Sequence, residues 1–209
     1  MPNERGFLPK ARREDLDENL SRKLDRWFTN AYEDDNLFLT IARRPGLLEA
    51  IWGFIRYTYG GGSTIEPELF ELVRMKLAWN NQCLHCSSVK LSSAVDSGAS
   101  DELFAKLFDY ESSDLPERTK AALRLGDRLS GDHLSFGEAD YRDLRSHFTD
   151  EEILDLGMCI AFFSGWQRFN QAFGIMPDHW QDGSQLPWEA MMPHRNVAGD
   201  ELAGATAST

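Results

Sequence analysis

Apolar residues recur with the spacing of an α-helix through most of this sequence. The first such stripe comprises Leu16, Leu20, Leu24, Trp27 and Phe28, and the face opposite it is charged. In no stretch do apolar and polar side chains alternate long enough to predict a β-strand. The pattern therefore predicts an all-α fold.

Glycine, proline and asparagine mark the ends of the expected helices. Pro45 opens a helix that Gly60 to Gly62 terminate, and Asn80-Asn81 interrupts a later one. Four pairs with capping-box spacing predict further helix starts: Ser63 with Glu66, Asp114 with Glu117, Ser135 with Glu138, and Thr149 with Glu152. The helix that begins at the last pair and runs through Phe173 is the most apolar, so we expect it at the centre of the core.

Composition limits the classes of partner. The 209 residues carry a formal net charge of −12, which repels phosphate backbones and argues against nucleic acid. The longest nearly apolar stretch, Gly157 to Trp166, is shorter than the roughly 17–25 residues of a membrane span. Met1 to Asn36 is dense in charge, unlike a signal peptide. We expect a cytoplasmic protein with neither nucleic-acid nor membrane partners.

The stretch 71–90, ELVRMKLAWNNQCLHCSSVK, holds the candidate chemistry. Cys83 and Cys86 lie three apart, where a helix is expected to start near Cys83 and to run to Asp96. The free N–H groups of a first helical turn stabilise a thiolate. With a peroxide, such a pair forms a sulfenic acid and then a disulfide, and with a protein disulfide it acts as a reductase.

Three nearby groups could hold or move a proton. Lys90 lies four residues after Cys86, on the same face of the expected helix. His85 lies about 100° around that helix, so it faces another element or solvent. Glu71 reaches the cysteines only if the chain reverses at Asn80-Asn81, and it is otherwise a solvated carboxylate.

A lone CxxC is also half of a zinc site. The sequence has no second CxxC and no HxxxH, and the other histidines are scattered, so no metal or cofactor is expected. The third cysteine, Cys159, lies in the apolar run MCIAFF and is expected in the core.

Glu71, followed after eleven residues by CLHC, resembles the signature of the alkylhydroperoxidase D-like, or carboxymuconolactone decarboxylase, superfamily. Three flanking segments agree: PGLLEAIWGFIRYTYGGGSTIEPELFELVRMKLAWNNQC, LPERTKAALRLGDRL and IAFFSGWQRFNQAFGIMP. The likeness covers roughly residues 37–178. It divides the chain into an N-terminal helical extension (1–36), an alkylhydroperoxidase D-like domain (37–180) and a C-terminal tail (181–209) that is partly disordered.

The resemblance implies a helical homo-oligomer, a trimer or a multiple of one, with its active site in a helical pocket. In the peroxidase branch the second cysteine attacks the peroxide, which makes Cys86 the nucleophile and Cys83 the resolving thiol. Glu71 and His85 would form the proton relay, and a thiol or lipoyl-type reductant would recycle the pair. Lys90 stands where that branch has a histidine, and a lysine is a poor proton shuttle near neutral pH.

Three functions remain open on the sequence alone. The first is a thiol-dependent peroxidase that reduces hydrogen peroxide or organic hydroperoxides. The second is a non-redox lyase or lactone-processing enzyme, in which Lys90 and Arg168 would hold a carboxylated substrate. The third is a redox-sensing or scaffolding oligomer without catalysis.

Overall fold

The computed structural model of the chain describes residues 6–30, 36–90, 92–96 and 98–177. Over these residues it contains ten α-helices and no β-strand. The helices are α1 (Glu18–Asn30), α2 (Asn36–Ala42), α3 (Pro45–Tyr59), α4 (Pro67–Asn80), α5 (Leu84–Ser88), α6 (Ser92–Asp96), α7 (Asp101–Lys106), α8 (Glu117–Ser130), α9 (Glu138–Arg145) and α10 (Asp150–Ala172). The all-α prediction is confirmed. The predicted tail, 181–209, lies outside the described residues.

Proline and glycine set the helix ends where expected, whereas three of the four capping boxes are wrong. Pro45 occupies the first turn of α3, and Gly60 caps its C-terminus. Thr149 and Glu152 form the predicted box at the start of α10, where the Thr149 hydroxyl accepts from the Glu152 amide at 3.2 Å. At the other three helices the N-cap is a different residue from the one predicted: Glu66 in α4, Pro116 in α8, and Gly137, paired with Asp140, in α9.

The central helix of the core is α4. All its residues from Leu69 to Trp79 are buried, and it packs against both α8 and α10. The expectation that α10 is central is wrong, because this helix buries one face and exposes Leu154 and Met158 on another. A helix buried on every side must also bury its polar residues, and in α4 these include Glu71 and Arg74.

The N-terminal helices pack on one side of this core. Leu20, Leu24 and Trp27 of α1 belong to one apolar cluster with Phe38 of α2 and Val89 after α5. The rings of Trp27 and Phe38 meet edge to face, with 4.6 Å between centroids. The residues expected to form an extension therefore pack against the segment that follows the cysteine pair. The division at residue 36 stays a prediction.

The helix expected from Cys83 to Asp96 is interrupted. α5 ends at Ser88, and Val89 is extended, with φ −97° and ψ 130°. This conformation buries the Val89 side chain in the N-terminal cluster and turns its carbonyl to Arg74. Among the described helices, none is both long enough and apolar enough to cross a membrane.

Candidate active site

The chain reverses direction between α4 and α5, which is the condition that the sequence set for Glu71 to reach the cysteines. α4 ends at Asn80, Asn81 caps it, and Gln82 has a φ of 53°, in the left-handed region that allows a tight turn. The Asn81 side chain donates to Gln167 of α10 at 2.9 Å, which ties the turn to α10. The reversal sets the cysteine pair beside α4.

The two cysteines of the pair differ in exposure. Their sulfurs are joined in a disulfide with 5.2 Å between the Cα atoms. Cys83 is fully buried, whereas Cys86 is 7% exposed. Cys83 is the N-cap of α5, and its sulfur accepts from the Cys86 amide at 3.2 Å. The predicted helix start near Cys83 is confirmed, although α5 has only five residues. The backbone amide of Cys86, in the first turn, donates to the Cys83 sulfur and not to the Cys86 sulfur.

Glu71 is fully buried and forms a two-pronged ion pair with Arg74. The Arg74 Nε donates to Glu71 Oε2 at 2.8 Å, and Nη2 donates to Oε1 at 2.7 Å. The hydroxyl of Tyr59, from α3, donates to the same carboxylate at 2.8 Å. The reading of Glu71 as a solvated carboxylate is therefore wrong, because its carboxylate lies inside the core with these two donors.

Arg74 connects this carboxylate to the cysteine segment. Its Nη1 donates to the carbonyl oxygen of Cys86 at 2.7 Å, and its Nη2 to that of Val89 at 2.6 Å. Burial opposes the charge of Arg74, but the Glu71 carboxylate outweighs it and holds the pKa of Arg74 above its usual range. Burial and the charge of Glu71 likewise raise the pKa of Tyr59, so it remains a hydrogen-bond donor.

A cavity of about 50 Å³ lies against Cys86. A single water needs roughly 10–15 Å³, so this space holds a few waters or a small ligand. Its lining is Trp27, Leu37, Phe38, Ile55, Tyr59, Arg74, His85, Cys86, Val89, Phe163, Trp166, Gln167 and Asn170. Cys86 lines the cavity and Cys83 does not, so an occupant would meet the Cys86 sulfur.

Two side chains of α10 complete the polar part of the cavity. The Asn170 Nδ2 donates to the Cys86 sulfur at 3.4 Å, within the range of hydrogen bonds to sulfur. The Gln167 Nε2 donates to the Arg74 carbonyl at 3.0 Å. Both side chains are buried, and both positions lie in the segment whose likeness to the superfamily was noted from the sequence.

His85 and Lys90 have opposite placements. His85 is 2% exposed and lines the cavity beside Cys86, so the reading of an exposed histidine is wrong. Lys90 is exposed, pairs with Asp101 of α7 and lies 5.4 Å from the centre of the Phe104 ring. The expectation that Lys90 shares a helical face with Cys86 is wrong, because the helix is broken at Val89.

Cys159 is a core residue, as expected. It is 1% exposed, and its sulfur lies 3.4 Å from the Thr58 hydroxyl. Burial raises the pKa of its thiol, so it is a poor nucleophile at neutral pH.

Of the cavity lining, only His85 and Cys86 were singled out from the sequence, and the residues that were missed include Trp27, Tyr59, Arg74 and Asn170. A signal existed for Arg74, which follows Glu71 by three residues and therefore lies on the same side of α4. The other three come from α1, α3 and α10, and no local spacing relates them to the cysteines.

Comparison with solved structures identifies the fold. An uncharacterized peroxidase-related protein of Ralstonia eutropha with an alkylhydroperoxidase D core superposes with a TM-score of 0.67 at 22% identity, covering 91% of this chain and 96% of that one. A peroxidase-related protein of a Silicibacter species gives 0.65 at 20% identity, covering 84% and 93%. The chain has the fold of the alkylhydroperoxidase D-like superfamily, which confirms the resemblance at the level of fold.

A third similar structure is that of a debrominase. A cysteine-to-alanine variant of the debrominase Bmp8, in complex with 2,3,4-tribromopyrrole, superposes with a TM-score of 0.66 at 19% identity. That match covers 80% of this chain and 89% of the debrominase.

Sequence comparison finds relatives without a described activity. Uncharacterized proteins of two Mycobacterium tuberculosis strains are each 30% identical to this chain over 154 residues, or 72% of it. The chain spans about half of their length, 51%. No family model matches the sequence.

Proposed function

We propose that the protein is a thiol-dependent peroxidase in which Cys86 attacks the peroxide and Cys83 resolves the product. The observation that carries this proposal is the unequal access of the two sulfurs. Cys86 lines the cavity, whereas Cys83 does not line it and has no exposed surface. A buried partner cannot meet the oxidant first, but it can attack a product formed three residues away.

The two thiols of Cys83 and Cys86 together supply the two electrons that reduce the peroxide. The Cys86 thiolate attacks one peroxide oxygen, the O–O bond breaks, and Cys86 becomes a sulfenic acid while an alkoxide leaves. The proton lost by the Cys86 thiol ends on the alkoxide. The Cys83 thiol then displaces water to form the disulfide, which a dithiol reductant reopens by exchange. Thiol or lipoyl-type dithiols remain the predicted reductants.

The proton relay is part of the same proposal. His85 lines the cavity with Cys86, so it is the group we infer to carry the proton between thiol and alkoxide. Glu71 acts indirectly. Its carboxylate accepts hydrogen bonds from Arg74 and Tyr59, and Arg74 in turn donates to the Cys86 carbonyl. We infer a positioning role for Glu71 and no relay role for Lys90.

The test is peroxide consumption with a dithiol reductant, measured for wild type, Cys86→Ser and Cys83→Ser. The proposal predicts that Cys86→Ser loses turnover and that Cys83→Ser reacts once and then stops. Full turnover by Cys86→Ser would refute it. Cys159→Ser is the matched control, since it removes a buried thiol that does not line the cavity and should retain turnover.

A second candidate is reductive dehalogenation of a small halogenated aromatic. Five aromatic side chains line the cavity next to Cys86: Trp27, Phe38, Tyr59, Phe163 and Trp166. This lining could stack against a flat ring, and the debrominase likeness points to the same chemistry. An aryl bromide and two thiols would give the arene, the disulfide and hydrogen bromide. Bromide release from 2,3,4-tribromopyrrole, without peroxide consumption, would favour this candidate.

The non-redox lyase has less support. Its expected carboxylate-binding residues, Lys90 and Arg168, do not line the cavity. Arg168 is exposed, and it bonds the Asn81 side chain at 2.9 Å and the Ser130 carbonyl. Activity that survives loss of both cysteines would still revive this function.

The homo-oligomer also stays a proposal. Leu154 and Met158 are 65% and 56% exposed, and they lie four residues apart on α10, so they share one face of that helix. If a second copy of the chain covers them, Leu154→Glu should lower the mass measured by light scattering. An unchanged mass would remove this surface from the interface.

A further inference from the structure

Two groups close to Cys86 in sequence that could stabilise its thiolate are engaged elsewhere. The first-turn amide of α5 donates to Cys83, and Lys90 pairs with Asp101. The guanidinium of Arg74 donates to Glu71 and to the backbone carbonyls of Cys86 and Val89. If Cys86 is the nucleophile, its negative charge needs a donor from elsewhere in the fold.

Asn170 provides one. Its side chain reaches the cysteine from α10, and its Nδ2 lies 3.4 Å from the Cys86 sulfur. A disulfide sulfur has no hydrogen to donate, so the amide nitrogen is the end of the carboxamide that suits this contact. The pairing crosses 84 residues of sequence and joins α10 to the cysteine pair.

The other end of the same carboxamide is also informative. Asn170 is fully buried and lines the cavity, and its Oδ1 has no hydrogen-bond partner among the described residues. Buried acceptors are nearly always satisfied, because an unmet one loses its hydration without replacement. An acceptor of this kind beside the nucleophile suits an occupant of the cavity that carries an O–H group.

We propose that Asn170 is a catalytic residue that binds both reactants of the peroxide step. Its Nδ2 donates to the Cys86 thiolate, and its Oδ1 accepts the hydroxyl proton of the hydroperoxide. This inference rests on the proposed peroxidase function. Because the two ends of one carboxamide are adjacent, the hydroperoxide oxygen bound to Oδ1 lies next to the sulfur bound to Nδ2.

In the reaction, Asn170 exchanges no proton or electron. The thiolate attacks the oxygen that carries the hydrogen, and this hydrogen remains on the sulfenic acid. The O–O bond electrons leave with the alkoxide, which takes the proton released earlier by the Cys86 thiol. The carboxamide fixes the two reacting atoms and stabilises the sulfur before the attack.

The test uses Asn170→Leu, which keeps a similar volume but removes donor and acceptor, and Asn170→Ala, which leaves room for water. Both are made in full-length protein on a Cys83→Ser background, so that Cys86 is a free thiol. The thiol pKa of Cys86 is read from the pH dependence of its alkylation by iodoacetamide, located by peptide mass spectrometry. The other titratable groups near Cys86, namely Tyr59, Glu71, Arg74 and His85, are unchanged.

Loss of one hydrogen bond to a charged sulfur should raise the Cys86 pKa by about one unit. Loss of both contacts should slow the reaction with hydrogen peroxide by roughly 10- to 100-fold at a pH where the thiolate is fully formed. Asn19→Ala, which removes an exposed carboxamide of α1 that donates to Glu49 and does not line the cavity, should change neither quantity.

The comparison of the Asn170 variants tests this inference, and the comparison of Cys83→Ser with Cys86→Ser tests the peroxidase function on which it rests. A folded Asn170→Leu with unchanged Cys86 pKa and unchanged peroxide rate overturns the inference. If Cys83→Ser itself reacts with peroxide no faster than Cys86→Ser, the peroxidase proposal fails. A raised Cys86 pKa in the Asn170 variants would then still support donation from Nδ2 to the sulfur.

Discussion

Two ion pairs flank the cysteine segment, and they differ in almost every physical respect. Glu71 and Arg74 are buried on α4, hold each other through two hydrogen bonds and hold the Cys86 carbonyl. Lys90 and Asp101 pair at the surface, with side chains 42% and 86% exposed. Lys90 is four residues from Cys86 in sequence but pairs with another residue, whereas Arg74 is twelve residues away and donates a hydrogen bond to the Cys86 carbonyl. A charge that is close to a cysteine in sequence therefore need not contact it.

The largest expected effect is on the buried pair. Arg74→Met leaves the Glu71 carboxylate buried without its ion-pair partner, although Tyr59 still donates to it, so the free energy of unfolding should fall by about 3–5 kcal/mol. Urea denaturation followed by circular dichroism measures this loss. The Glu71→Leu, Arg74→Met double variant is the matched control and should recover much of the stability. A single variant that costs less than about 1 kcal/mol would show that the pair is not buried as described.

An intermediate effect is expected at Tyr59. Tyr59→Phe removes one of the donors to Glu71 but leaves the two bonds from Arg74, so it should cost about 1–2 kcal/mol of unfolding free energy. The matched control is Tyr57→Phe, which removes a hydroxyl bonded to Asp155 on the exposed side of the same helix. Denaturation should show a smaller loss for the control. Equal losses would contradict the contrast between buried and exposed carboxylates.

The smallest effect is expected at the surface pair. Lys90→Ala should change the free energy of unfolding by no more than about 0.5 kcal/mol, because exposed ion pairs contribute little. Lys90→His should leave peroxide turnover within about twofold of wild type, since the ammonium group does not line the cavity. A tenfold change in turnover, in either direction, would show that Lys90 takes part in the reaction.

The helices were predictable because their signals are local. The apolar stripes, Pro45, Gly60 and the Asn80-Asn81 interruption each act within a few residues. The break at Val89 was not predictable from such signals. It depends on a long-range contact, in which the Val89 carbonyl accepts from Arg74 while its side chain joins α1 and α2. Local propensity alone would have continued the helix.

The site was predictable in part, for the same physical reason. Glu71, His85 and both cysteines come from one stretch of sequence, and the reversal at Asn81 and Gln82 brings them together. Trp27 and Asn170 belong to helices distant in sequence, and the tertiary fold alone makes them neighbours of Cys86. The prediction that Lys90 belongs with them relied on a continuous helix that the fold does not contain.

The proposed mechanism depends most on which of the two sulfurs meets the oxidant. The direct measurement is mass spectrometry of Cys83→Ser and Cys86→Ser, each treated with one equivalent of peroxide in the presence of dimedone, which traps sulfenic acids. Because Cys86 lines the cavity and Cys83 is fully buried, Cys83→Ser should carry the dimedone adduct on Cys86, and Cys86→Ser should carry almost none. An adduct on Cys83, at equal or greater yield, would contradict the account.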